Sequence, residues 1–238
     1  DLSAVGLHGD ADWRRLPLTV THRAYEIAAP PISSPWPLRE DAEDYRLGQR
    51  PEGAVADDRG ARVMVSDDQA ASGRQSMRFE DVPGTTAWKP HWFCRFDPRP
   101  DRVHLHCSVR NDPDLPATVQ LEFREWPPGT GLLTGPLLSL EPDGRVQVGT
   151  PAAAWEHVGD YPLGQWLQVD IWFAQGRDEP GTWTLRVSGP AGDVVHERGI
   201  PMRNAEFRAC DWFGIVGSAT RDAVFHVDDV LLDSDDAP

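Results

Sequence analysis

Val103-His104-Leu105-His106-Cys107-Ser108-Val109 alternates apolar and polar residues one for one. A β-strand turns successive side chains to opposite faces. Val103, Leu105, Cys107 and Val109 therefore belong to one face, and His104, His106, Ser108 and Arg110 to the other. Farther along, Val119-Gln120-Leu121-Glu122-Phe123-Arg124 repeats the pattern, with Val119, Leu121 and Phe123 opposite Gln120, Glu122, Arg124 and Trp126. A helical period would scatter these sets around an axis.

The same period extends in both directions. Arg62–Val65 and Ser76–Phe79 alternate across the turn-forming segment Ser66–Gly73, and Leu167, Val169, Ile171 and Phe173 share a face. Trp183, Leu185 and Val187 follow, then Trp212–Ser218 and Val224–Leu232, and no amphipathic helix stands out. The 22 prolines and 21 glycines punctuate many short strands better than long helices. The expected fold is all-β, an antiparallel β-sandwich of the jelly-roll type. Residues 1–37 lack a sustained period, apart from one candidate strand at Leu18–Thr21, and end in the proline-rich stretch Ala29–Pro37, which reads as a stiff linker. The organisation is then an arm and linker at 1–37, a sandwich at 38–233 and an acidic tail at 234–238.

A formal net charge of −15 repels phosphate backbones and anionic lipid, so nucleic acid and membrane surfaces are set aside. The same charge fits a calcium-rich extracellular medium, or simple solubility. No apolar run is long enough to span a bilayer. The sequence opens at Asp1 without a signal peptide, which leaves room for a removed leader or an upstream domain. Cys94, Cys107 and Cys210 are odd in number, so at least one thiol is free; a Cys94–Cys107 or Cys94–Cys210 bridge stays open. Cys107 reads as a buried small hydrophobe, and no spacing resembles a zinc or redox motif.

Three groups of residues are candidates for function. If the two alternating strands are neighbours, His104, His106, Arg110, Glu122, Arg124 and Trp126 share one wet face. Imidazoles, guanidiniums and a carboxylate beside an aromatic suit an acidic or hydroxyl-rich sugar. The alternative is a solvated face with scattered ion pairs. Second, Ala87-Trp88-Lys89-Pro90-His91-Trp92-Phe93 offers Trp88 and His91 to a ligand, unless Trp88 and Trp92 fold back as core plugs. Third, Glu40–Tyr45 and His226–Val230 are acidic. First and last strands of a jelly roll often lie side by side, so Glu43 with Asp228 or Asp229 could share a structural Ca2+, against two independently solvated stretches. Enzyme signatures are lacking. Glu122 and Glu125 face opposite sides of a strand, and no Glu-x-Asp-x-x-Glu, Gly-x-Ser-x-Gly, phosphate loop or His-Glu-x-x-His is present.

Asp44–Gly53, Val65–Phe79, Pro162–Val169 and Phe225–Val230 resemble segments of concanavalin-A-like, laminin-G-like lectin-type domains from secreted bacterial carbohydrate-active proteins. The resemblance covers residues 38–233. Asp1–Trp13 is similar to the segment that joins an upstream β-helix domain to such a domain. The resemblance implies a polysaccharide partner on the concave sheet and a secreted or cell-surface location. It also implies calcium carboxylates at Glu43 and Asp229, and chemistry in an upstream catalytic domain. It carries no catalytic residue onto this chain. Three expectations follow. One is an accessory carbohydrate-binding module. The second is a polysaccharide lyase with His104 or His106 as base and Arg124 on the uronate carboxylate. The third is a structural domain without ligand.

Overall fold

The computed structural model describes residues 34–57, 59–98, 102–127, 131–176, 179–219 and 221–234. The candidate strand at Leu18–Thr21 and most of the arm and acidic tail lie outside the described residues. In chain order the strands are β1 (Leu38–Glu40), β2 (Ala54–Val55), β3 (Arg62–Ser66), β4 (Ser76–Asp81) and β5 (His91–Arg95). Next come β6 (Arg102–Asn111), β7 (Val119–Glu125), β8 (Leu133–Leu140), β9 (Arg145–Val148) and β10 (Glu156–Asp160). The last are β11 (Trp166–Ala174), β12 (Thr182–Gly189), β13 (Gly192–Pro201), β14 (Trp212–Gly217) and β15 (Ala223–Asp233).

These strands form an antiparallel β-sandwich. One sheet has eight strands in the order β13-β12-β11-β6-β15-β4-β3, with β1 added on β15; the other has seven, in the order β10-β9-β8-β7-β14-β5-β2. First and last strands do lie side by side, with Leu38 opposite Leu232. The period-two reading of the core holds. Val103, Leu105, Cys107 and Val109 of the eight-stranded sheet, and Val119, Leu121 and Phe123 of the seven-stranded sheet, are all fully buried. Across the interior Phe123 meets Phe173 edge-on, with ring centroids 5.0 Å apart. Burial of one such aromatic contributes about 1.5–3 kcal/mol, so the interior rows are the main source of cohesion. Cys94, Cys107 and Cys210 are all free and buried, so neither bridge forms.

One expectation is corrected. β6 and β7 are not neighbours: β6 lies between β11 and β15 in one sheet, while β7 lies between β8 and β14 in the other. Their polar rows therefore look out from opposite sides of the sandwich. The chain crosses between sheets over residues 112–118. The crossing is fastened by Asn111, whose Nδ2 donates to the Ala117 carbonyl at 2.7 Å and whose Oδ1 accepts from the Ala117 amide at 2.8 Å. Seven residues between the strands exceed the two to five that close most hairpins.

Candidate functional site

On the seven-stranded sheet, β5, β14 and β7 run side by side. Their outward side chains form rows: His91, Val216 and Gln120; Phe93, Gly214 and Glu122; Arg95, Trp212 and Arg124. Gly214 makes the middle row possible, because a Cβ there would stand 2.1 Å from the Trp212 ring. The indole thus lies flat across the glycine. Phe93 stacks with it at 5.9 Å and 18°, and the Arg124 guanidinium sits 4.4 Å from its ring centroid. Arg124 Nε donates to Glu122 Oε2 at 2.8 Å, and Nη2 donates to the same oxygen. From Phe93 the aromatic line continues to His91 at 5.6 Å and on to Trp88 at 5.5 Å. Trp88 is 50% exposed, and the Lys89 ammonium lies 5.1 Å from its ring centroid. Trp92 takes the other course: it is buried and its Nε1 donates to the Glu52 carbonyl at 2.7 Å.

His91 Nδ1 lies 2.9 Å from the Trp88 carbonyl oxygen. A carbonyl only accepts, so Nδ1 carries the proton and Nε2 keeps its lone pair in the neutral ring. Burial lowers the His91 pKa to about 4, and the nearby Arg124 and Lys89 charges act in the same direction. The ring is therefore neutral at pH 7. Beside Phe93 a cleft of about 270 Å³ opens toward the flank of β1, with Glu40, Asp41, Asp44 and Glu52 in its wall.

The opposite sheet carries a second cluster. His104 Nδ1 lies 3.2 Å from Asp233 Oδ1 and its Nε2 3.2 Å from Asp170 Oδ1, and His106 Nδ1 lies 2.8 Å from Asp170 Oδ1. The Trp172 ring stacks on His104 at 4.8 Å, nearly parallel. Burial pushes the Asp170 pKa up, yet the hydrogen bonds from His104 and His106 outweigh it and hold the group at about 2. The hydrogen bond to Asp170 raises the His106 pKa. Arg110 lies farther along the same face, with its Nε donating to the Gly164 carbonyl at 3.1 Å.

The predicted site residues therefore divide. Trp88, His91, Glu122 and Arg124 come together on the seven-stranded sheet, and His104, His106 and Arg110 stand on the eight-stranded one. Trp126 lies just past β7, with its indole nitrogen buried and without a hydrogen-bond partner among the described residues. Trp212 escapes a reading by alternation because β14 carries apolar side chains on both faces, and Phe93 because it is the apolar residue between His91 and Arg95 on the outward side of β5. Asp170 and Asp233 are far from the histidines in sequence, and only strand pairing joins them.

Glu43, Asp228 and Asp229 surround one loop. Glu43 Oε1 accepts from the amides of Arg74 and Gln75 at 2.6 and 2.8 Å. Asp228 Oδ2 accepts from Ala71 and Ser72, and Asp229 Oδ1 from the Ser72 hydroxyl. The carboxylates thus tie residues 71–75 to the turn after β1 and to β15. Among the described residues no group of three or more His, Cys, Asp or Glu side chains is arranged to hold a metal ion. Each carboxylate in this group accepts from a loop donor.

No family model and no curated protein matches the chain. Solved structures do. The endo-β-1,4-glucuronan lyase of the fungus Trichoderma reesei has 12% identity and a TM-score of 0.56, with 81% of this chain and 95% of that one covered. The alginate lyase Aly36B, in complex with an alginate tetrasaccharide, has 12% identity and a TM-score of 0.56, covering 87% and 100%. The cellulose-induced protein Cip1 has 12% identity and a TM-score of 0.58, covering 83% and 97%. The chain shares its β-sandwich fold with these three proteins.

Proposed function

We propose that this chain is a polysaccharide-binding β-sandwich of the lectin-like jelly-roll kind, and that the sugar lies on the outward face of β5, β14 and β7. The observation that carries the reading is the unbroken line Trp88–His91–Phe93–Trp212, which ends in a half-exposed indole on one side and in Arg124 on the other. An exposed tryptophan at the end of a packed aromatic row presents apolar surface that a sugar ring covers, with polar neighbours to orient its hydroxyls. The fold shared with glucuronan and alginate lyases supports a polymeric ligand, and a polymeric ligand fits a secreted or cell-surface setting.

Affinity electrophoresis in gels cast with neutral and acidic polysaccharides tests the reading. Migration of the wild type should be retarded by at least one polymer. Trp88→Ala should weaken that retardation about tenfold, a loss of about 1.4 kcal/mol. Arg186→Ala, on the opposite sheet, should leave it unchanged. Free migration in every gel would refute the reading.

A lyase reading has one observation in its favour: neutral His91, with its Nδ1 proton fixed on a carbonyl, offers Nε2 as a base. His104 and His106, the bases expected from sequence, are instead bound to Asp170 and Asp233. The carboxylate partners of Arg124 and Arg95 weigh against lyase chemistry, because a C5 proton becomes acidic only when a cation meets the uronate carboxylate. Unsaturated-uronide absorbance after mixing with alginate or glucuronan decides the point; a flat trace excludes it.

A further inference from the structure

Resting on that reading of the face, we infer that its ligand is an uncharged polysaccharide, recognised through ring faces and hydroxyls, and that polyuronates are rejected.

Charge pairing on the face decides between the two ligand classes. A uronate chain brings one carboxylate per sugar. Binding strips water from each, and the loss is made good only by guanidinium or ammonium donors not already committed elsewhere. On this face the cations have partners. Arg124 gives both Nε and Nη2 to Glu122 Oε2. Arg95 is bound to Asp211, and both side chains are nearly buried. The Lys89 ammonium stands 3.7 Å from Asp57. A uronate reaching Arg124 would have to displace Glu122 and leave that carboxylate, itself only 9% exposed, without its counter-charge.

The surroundings act in the same direction. The cleft beside Phe93 is walled by Glu40, Asp41, Asp44 and Glu52, with Arg39 as the one cation among the described residues lining it. Burial raises the Glu40 pKa, and the Asp41 and Asp44 charges act in the same direction. The whole chain carries −15, which slows the approach of a polyanion at low salt. What the face does offer is neutral groups: the Gln120 amide and Nε2 of His91, next to Trp88 and Phe93. That inventory suits sugar hydroxyls over aromatic rings.

The same fold therefore serves a different ligand charge from the polyuronates named for two of its neighbours. A matched panel tests this. Isothermal titration is run with neutral hexasaccharides of gluco, manno and xylo configuration, and with glucuronate, mannuronate and guluronate hexamers. At least one neutral member should bind about tenfold more tightly than every uronate. Its affinity should change less than about twofold when salt is raised from low to physiological, since no counterion release accompanies it. Glu122→Gln, which leaves Arg124 without its carboxylate, should narrow the gap about threefold by improving uronate binding. A uronate that binds as tightly as any neutral chain overturns the inference while leaving polysaccharide binding intact. Binding by no member of the panel overturns the underlying reading of the face itself.

Discussion

The indole of Trp212 rests directly on the backbone of Gly214, two residues along the same strand, so closely that a methyl group on Gly214 would fall 2.1 Å from the ring. This contact lets Phe93 and Arg124 close over the ring and sets the level of the aromatic row. Gly214→Ala should push the indole off the sheet. The expected cost is about 1–3 kcal/mol in urea denaturation, with a red-shifted tryptophan emission and weakened polysaccharide retention. Unchanged stability and emission would show that the ring does not depend on the glycine.

The Asp170–His106 pair sets a pH profile. The folded Asp170 pKa of about 2 lies below its ordinary 3.8, so its stabilisation is complete above 3.8 and is lost as pH falls through about 2. The His106 pKa is raised above 6.5, so its share is complete below 6.5 and is lost as pH rises through the folded value. The two shifts share the Asp170–His106 contact, and the His104 hydrogen bond adds to the lowering at Asp170. Asp170→Asn should lower stability by about 2 kcal/mol near pH 5 and bring the His106 pKa down in an NMR titration. A His106 pKa that does not move would contradict the pairing.

Asp228 holds two loop amides on one carboxylate oxygen. Asp228→Ala leaves the amides of Ala71 and Ser72 without that acceptor and should cost about 1–3 kcal/mol. Melting temperature should be the same with calcium and with chelator. A chelator-sensitive melt would show Glu43, Asp228 and Asp229 acting as ion ligands.

All three thiols are buried, and burial raises the pKa of each, so none presents a thiolate to solvent. A thiol reagent should find no reactive group in the native protein and all three after unfolding in denaturant. Reductant should leave the melting temperature unchanged. Rapid labelling of the native chain would place a cysteine at the surface.

The division between what the sequence discloses and what it hides follows from the range of each force. Alternation is local. It assigned Val103 to Val109 and Val119 to Phe123 to the interior correctly, because the pleat alone decides which side of a strand is dry. It could not say which sheet each strand joins. His104 and Arg124 were put on one face when they lie on opposite ones, and the long proline-containing connection at 112–118 was the signal for that crossing. The clustering of Trp88, His91 and Arg124 depends on β14, which arrives between β5 and β7 from much later in the chain. Its Trp212-Phe213-Gly214-Ile215-Val216 run carries bulk on both faces, so no period marks which aromatic faces water.

Side-chain NMR during titration with a retained neutral oligosaccharide locates the sugar on one sheet or the other. With the sugar on β5, β14 and β7, the Trp88 indole N–H and the His91 ring protons shift and saturate, while His104 and His106 stay fixed. Shifts at His104 and His106, with Trp88 and His91 unmoved, would place the sugar on the other side of the sandwich and contradict the proposed site.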